Sequence, residues 1–155
     1  LPRMSMSTRG ASRKTEWGIS DETKEAGHIF RAWATVTKNP EDTRDTYDQL
    51  IQNEDIASAD HLAYAFRYGQ GATENFDSDG DASVGLNALK TLRSRHATDV
   101  TVYVVHLNAE SRLTYKKKQE CVQQAIAGAL VALENAPSAD PLICGSPSGN
   151  GISNS

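Results

Sequence analysis

No apolar run in the chain approaches the roughly 18–20 residues that a membrane-spanning helix requires, so the sequence reads as a soluble protein. Cysteine is scarce: Cys121 and Cys144 stand alone, without a CxxC pair or the Cys/His spacing of a zinc site. Cys121 falls in a helical pattern and Cys144 in a Pro/Ser-rich stretch, so both read as idle thiols of a reducing compartment. A Gly-rich phosphate loop, an HExxH helix and a GxSxG elbow are all missing. Without them no nucleophile, metal set or cofactor cradle is defined, and the expectation is a non-enzymatic protein with no cofactor and no metal. An excess of positive charge is missing too. The 16 Lys and Arg against 20 Asp and Glu give a formal charge of −4, which argues against wholesale coating of nucleic acid and leaves only local basic patches.

What is present divides the 155 residues into a middle and two unlike ends. Leu1 to Lys14 carries Arg3, Arg9, Arg13 and Lys14 with no acid, among many Ser and Thr. That is the composition of a disordered basic arm, expected over residues 1–24, or of part of a mitochondrial targeting segment; the arm reading gives a cytoplasmic protein. Residues 136–155 hold Pro137, Pro141 and Pro147 among Ser, Gly and Asn, too little apolar surface to offset ordering entropy, and read as a tail. Residues 25–135 are then one compact domain, in the usual range of about 100–120 residues.

Within it, Ile29 to Val36 alternates bulky and small residues and predicts a strand. Asn39-Pro40-Glu41-Asp42 predicts a helix start, with Asn as N-cap, Pro in the first turn and acids at the positive end of the dipole; Tyr47, Leu50 and Ile51 face inward and the helix ends near Asn53. Leu62 to Tyr68 alternates again, Gly69 to Gly71 turns, and a short strand follows over 74–76. A helix over 83–95 places Gly85, Ala88, Leu89 and Leu92 on one face. Asp99 to Leu107 is the clearest strand, Val100, Val102 and Val104 sharing one face and Thr101, Tyr103 and Val105 the other. A last helix from near Leu113 carries Val122, Ile126, Ala129, Leu130 and Leu133. The order β-α-β-β-α-β-α implies an α+β domain: a small sheet of about four strands with helices packed on one face.

Asp77-Ser78-Asp79-Gly80-Asp81 superficially suggests a calcium loop, but the sixth and twelfth positions hold Ala82 and Ala88 where Gly and Glu are needed. A turn feeding an N-capped helix fits better, with Asp81 or Ser83 as cap. His61 opens one strand and His106 closes another, so pairing brings them together, either as strand-end caps or, with Asp79, as a metal or general-base site. Two basic groups stand out. Lys90, Arg93, Arg95 and His96 close one helix, where the dipole welcomes them. Arg112, Lys116, Lys117 and Lys118 open the next, where it does not, and a phosphate or acidic partner would relieve that misfit.

From about Gly27 to Leu133 the chain resembles the IMPACT family, whose bacterial members are of the YigZ type. The family's Ala-x-His-x-x-x-Ala-Tyr/Phe-Arg pattern is matched by Ala59, His61, Ala65, Phe66 and Arg67, and its Asp-Asp-Gly-Glu turn by Ser78-Asp79-Gly80-Asp81. The resemblance implies the fold named after the second domain of ribosomal protein S-five. It also shows a departure. Where the family carries Arg-Tyr/Trp-Phe/Tyr-Gly-Gly after its last strand, this chain has His106-Leu107-Asn108-Ala109-Glu110, a divergent member without the Gly-Gly loop.

The function that the resemblance implies is regulatory, in translation control or amino-acid-stress signalling. The eukaryotic relative competes for the activator of a kinase that phosphorylates translation initiation factor two, using a separate N-terminal domain. There is no room for that domain before Ile29, so a fragment or a stand-alone divergent domain is expected. The expected partner surface contains His61, Arg67, Asp79, Gly80, Asp81 and His106, clustered if the strands pair as predicted. The alternative is an RNA- or ribosome-binding module using Lys90, Arg93, Arg95, Arg112, Lys116, Lys117 and Lys118.

Overall fold

The structure, a computed structural model, describes residues 15–81 and 83–136. Residues 1–14 of the expected arm and 137–155 of the expected tail, Cys144 among them, lie outside the described residues. In chain order the elements are β1 (Gly18–Ile19), β2 (Thr23–Glu25), β3 (His28–Val36), α1 (Pro40–Leu50), α2 (Glu54–Ala57), β4 (His61–Tyr68), a short 3-10 turn (Gly69–Gly71), β5 (Thr73–Asp77), α3 (Val84–Ser94), β6 (Val100–Leu107) and α4 (Tyr115–Glu134).

The strands form one six-stranded antiparallel sheet in the order β1-β3-β6-β4-β5, with β2 pairing the same edge of β3 as β1. β6 is the middle strand, and every residue from Val100 to His106 is buried, which is why it reads so clearly in sequence. Val100, Val102 and Val104 meet Phe30, Ala32, Ala34, Ala63 and Ala65 on one face, covered by Val84, Leu89 and Leu92 of α3 and Val122, Ile126 and Ala129 of α4. The small alanines of β3 and β4 let these two helices lie close to the sheet.

Helices cover both faces rather than one. Tyr103 and Val105 point away from α3 and α4 and pack with Leu50, Ile56 and Leu62, bringing α1 and α2 onto the opposite face. The contact there is partly polar. The Tyr103 hydroxyl donates to the Thr43 carbonyl at 2.7 Å and lies 2.7 Å from Thr46 Oγ1, while Thr43 also meets the hydroxyls of Tyr68 and Thr101. Periodicity in α1 shows three inward hydrophobes; the Thr43 and Thr46 hydroxyls that anchor it carry no apolar signal. Burial pushes the Tyr103 phenol strongly up, so it stays a donor across the working pH range.

The helix starts are as the sequence predicts at α1, where the Asn39 side chain accepts from the Asp42 amide at 2.8 Å and Pro40 opens the first turn. α3 ends with His96 in the left-handed region (φ 55°) and the Ala97 amide donating to the Leu92 carbonyl at 2.9 Å, a Schellman-type close. The sheet differs from the expected four strands because β1 and the first two residues of β2 fall within the segment 1–24 read as a flexible arm. Two- and three-residue strands carry too short a pattern to show alternation. What seats β1 is a missing side chain: a Cβ on Gly18 would overlap the Ala129 carbonyl and the Leu133 amide of α4. Backbone meets backbone there.

Gly18→Ala is therefore expected to lower stability by about 1–3 kcal/mol through overpacking. Ile19→Ala, at a side chain 43% exposed, should change it by less than about 0.5 kcal/mol. Urea unfolding of the two variants checks this, and a neutral Gly18→Ala would mean that β1 is not docked on α4.

Candidate functional site

At the end of the sheet where β3 begins and β6 finishes, polar side chains converge under the first turn of α3. Strand register creates the meeting: His106 is the cross-strand partner of Phe30 on one side and of His61 on the other. His106 is 1% exposed, its ring stacked on Phe30 with centroids 4.2 Å apart. Its Nδ1 contacts Asp81 Oδ2, and the other carboxylate oxygen accepts from Lys118 Nζ at 2.8 Å. Its Nε2 lies 3.0 Å from His28 Nδ1, and His28 Nε2 reaches the Ser111 carbonyl at 2.8 Å.

The Ser111 carbonyl and the Asp81 carboxylate can only accept, so His28 Nε2 and His106 Nδ1 face them as donors.

Asp81 itself is 4% exposed. Burial alone would raise its carboxyl, but hydrogen bonds from His106 and Lys118, reinforced by their charges, outweigh it and hold the group below the usual aspartate range.

The predicted partner residues divide. His61, Asp79, Gly80, Asp81 and His106 lie together, but His106 and Asp81 are buried and present no surface. His61 is partly exposed; its Nδ1 donates to the Asp79 carbonyl at 3.0 Å and its Nε2 lies 3.2 Å from Asn108 Nδ2. The Asp79 carboxylate accepts from the Leu62 amide at 2.8 Å, closing the turn in which Asp79 and Gly80 take positive φ (51° and 75°). Arg67 does not join them. It sits opposite Val100 at the far end of β4, about 20 Å away at strand rise, bonded to Glu74 and to the Ala97 carbonyl. It ties β4 to β5 and to the loop before β6.

The basic residues divide as well. Lys118 is committed to Asp81, Arg93 to Glu74, and Lys117 faces Glu120 at 3.9 Å. Lys90, Arg95, Arg112 and Lys116 are exposed. Sequence reading missed His28, which precedes the alternating run of β3 and gains its meaning only from the cross-strand register; Lys118, read there as one of a basic group for nucleic acid, is instead bonded to Asp81. The turn that suggested a calcium loop supplies the carboxylate of this network, and no cluster of three or more potential metal ligands is found among the described residues.

The segment after β6, where the resemblance led to a Gly-Gly loop, is held without glycine. The Asn108 amide donates to Asp60 Oδ2 at 2.8 Å, the Ser111 carbonyl is fixed by His28, and no residue from 107 to 114 takes a positive φ.

Because Asp81 titrates lower in the folded chain than in the unfolded one, its stabilisation is complete above about pH 4 and is lost as the pH falls through the lowered folded value. Asp81→Asn should cost about 3–5 kcal/mol at neutral pH by stranding buried positive charge, and should flatten the acid limb of the stability curve. Urea unfolding from about pH 3 to about pH 7 reads both effects; a parallel displacement of the whole curve would show that the carboxylate charge is not what matters.

Among curated proteins none matches the chain. Solved structures that share its fold include the following two. One is a crystal structure of a hypothetical protein, 16% identical with a TM-score of 0.64, the alignment covering 73% of this chain and 56% of the other. The second is the two-domain translational regulator Yih1, 18% identical with a TM-score of 0.50, covering 85% of this chain and 54% of Yih1. At these identities the likeness is one of fold, and the chain spans little more than half the length of either. No helix among the described residues is long and apolar enough to cross a membrane. The Impact N-terminal domain matches residues 26–130, most of the ordered sheet and all the residues of the buried network, and the chain belongs to that family.

Proposed function

We propose that this chain is a non-enzymatic interaction domain acting in translation control or amino-acid-stress signalling, through a protein partner. The observation that carries the reading is the consumption of its acid and base side chains by one another. His28, His106, Asp81 and Lys118 are the groups best suited to proton transfer, and their polar atoms are engaged within the fold instead of facing a cleft. Such a network specifies one arrangement of strand ends and helix starts, which suits a rigid recognition surface. Membership of the Impact N-terminal domain family and the fold shared with a translational regulator supply the cellular context.

A ribosome- or RNA-binding module is the second reading. Its support is Arg112 and Lys116, exposed beside the start of a 20-residue helix whose first turn contains no acid. Lys118 and Arg93 are already paired, however, so the basic surface is thinner than the sequence promised.

Affinity capture from a cell lysate, with and without ribonuclease, separates the two. Partners such as the kinase activator that persist after ribonuclease are expected. Ribosomal proteins that vanish with ribonuclease, and a steep loss of binding with added salt, would instead place the function at phosphates.

A further inference from the structure

On the α1 side of the sheet a groove of about 350 Å³ runs between α1 and the strands β4 and β5. Its floor is aromatic. Tyr64 and Phe66, alternate residues of β4, are stacked with ring centroids 6.4 Å apart, Phe66 also stacks on Tyr68 at 4.6 Å, and Tyr47 of α1 meets Tyr64 edge-on at 6.3 Å. One rim is acidic: Asp77 ends β5 and Asp79 follows in the turn, both exposed. Asp77 Oδ1 is taken by the Asp79 amide and Asp79 Oδ2 by the Leu62 amide. The second oxygen of each carboxylate has no hydrogen-bond partner among the described residues, so both are anchored by backbone and open to a guest.

We propose that this groove docks an arginine side chain of a partner polypeptide, its guanidinium packed against the Tyr64 ring beside Phe66 and donating to the carboxylates of Asp77 and Asp79. Charge complementarity selects that occupant. Aromatic faces carry negative electrostatic potential and favour a planar cation, and a guanidinium offers both a stacking face and a fork of donors for carboxylates. The same aromatic floor would suit a nucleic-acid base, but phosphates beside two carboxylates are repelled. The local field agrees: the Tyr64 phenol is raised by burial and then by the charge of Asp77. Arg44, exposed on the α1 wall, is the cation of the groove and would face a carbonyl of the guest's backbone.

The inference rests on the reading of this chain as a protein-interaction domain and names the chemistry of the partner. Its test uses the chain alone: amide chemical shifts followed while a blocked pentapeptide with a central arginine between leucines is added. Shifts confined to Tyr47, Tyr64, Phe66 and the 77–79 turn are expected. Binding should be about tenfold weaker for the citrulline peptide, which keeps the shape without the charge. The double variant Asp77→Asn/Asp79→Asn should lose a similar factor; should its spectrum show unfolding, Phe66→Leu, which keeps the bulk and removes the ring, takes its place. Equal binding of the citrulline peptide, shifts elsewhere or none, or groove shifts caused by a short uridine oligonucleotide would overturn the assignment. Because no lysate partner is involved, a failure here leaves lysate capture as an independent test of the interaction reading, and an arginine site can stand if the link to translation falls.

Discussion

Asp81 has both carboxylate oxygens occupied by cations or donors that come from elsewhere in the chain: the ring of His106 at the end of β6 and the ammonium of Lys118 in α4. Through His106 the same contact extends to His28 at the start of β3 and to the carbonyl of Ser111 in the loop before α4. A buried carboxylate is tolerable only when paired and hydrogen-bonded, so the position of α3 is dictated by where those partners can meet it. Gly85 records how tight the fit is. A Cβ there would stand 2.8 Å from the carbonyl of Asp77, so the first turn of α3 rests directly on the end of β5.

The same end of the molecule has an inner and an outer layer. Inside, the Asp81 carboxylate is buried and held by His106 and Lys118. Outside, the turn carrying Asp79 is held by the Leu62 amide and by His61, and presents its remaining carboxylate oxygen to the groove over β4. The loop after β6 joins in by side-chain contacts, Asn108 bridging to His61 and its amide to Asp60.

Most of the regular structure was legible because burial on two different faces leaves two different patterns. β6 alternates Val with Thr and Tyr, and α1 announces its start through Asn39 and Pro40. The pieces that were not legible fail for identifiable reasons. β1 and β2 are too short for alternation, and the anchors of α1 to the sheet are Thr hydroxyls, which hydrophobic periodicity does not count. The site was half legible. His61, Asp79, Asp81 and His106 were grouped by their positions at strand ends, but burial depends on what covers them, and α3 and α4 seal His106 and Asp81. Arg67 was grouped with His61 through the family pattern the two share and the expected strand pairing, although eight-residue β4 holds them near opposite ends.

The place of β6 in the sheet also orders events in time. β3 and β4 flank it and do not touch each other, so until residues 100–107 are available the chain holds only the pairing of β1 and β2 with β3 and the hairpin of β4 with β5. Nearly 40 residues separate His61 from Val100, and more than 60 separate His28 from the same strand. Closing loops of that length before any sheet contact rewards them slows folding. Without β6 the facing edges of β3 and β4 have no partner strand, and without α4 Asp81 lacks Lys118.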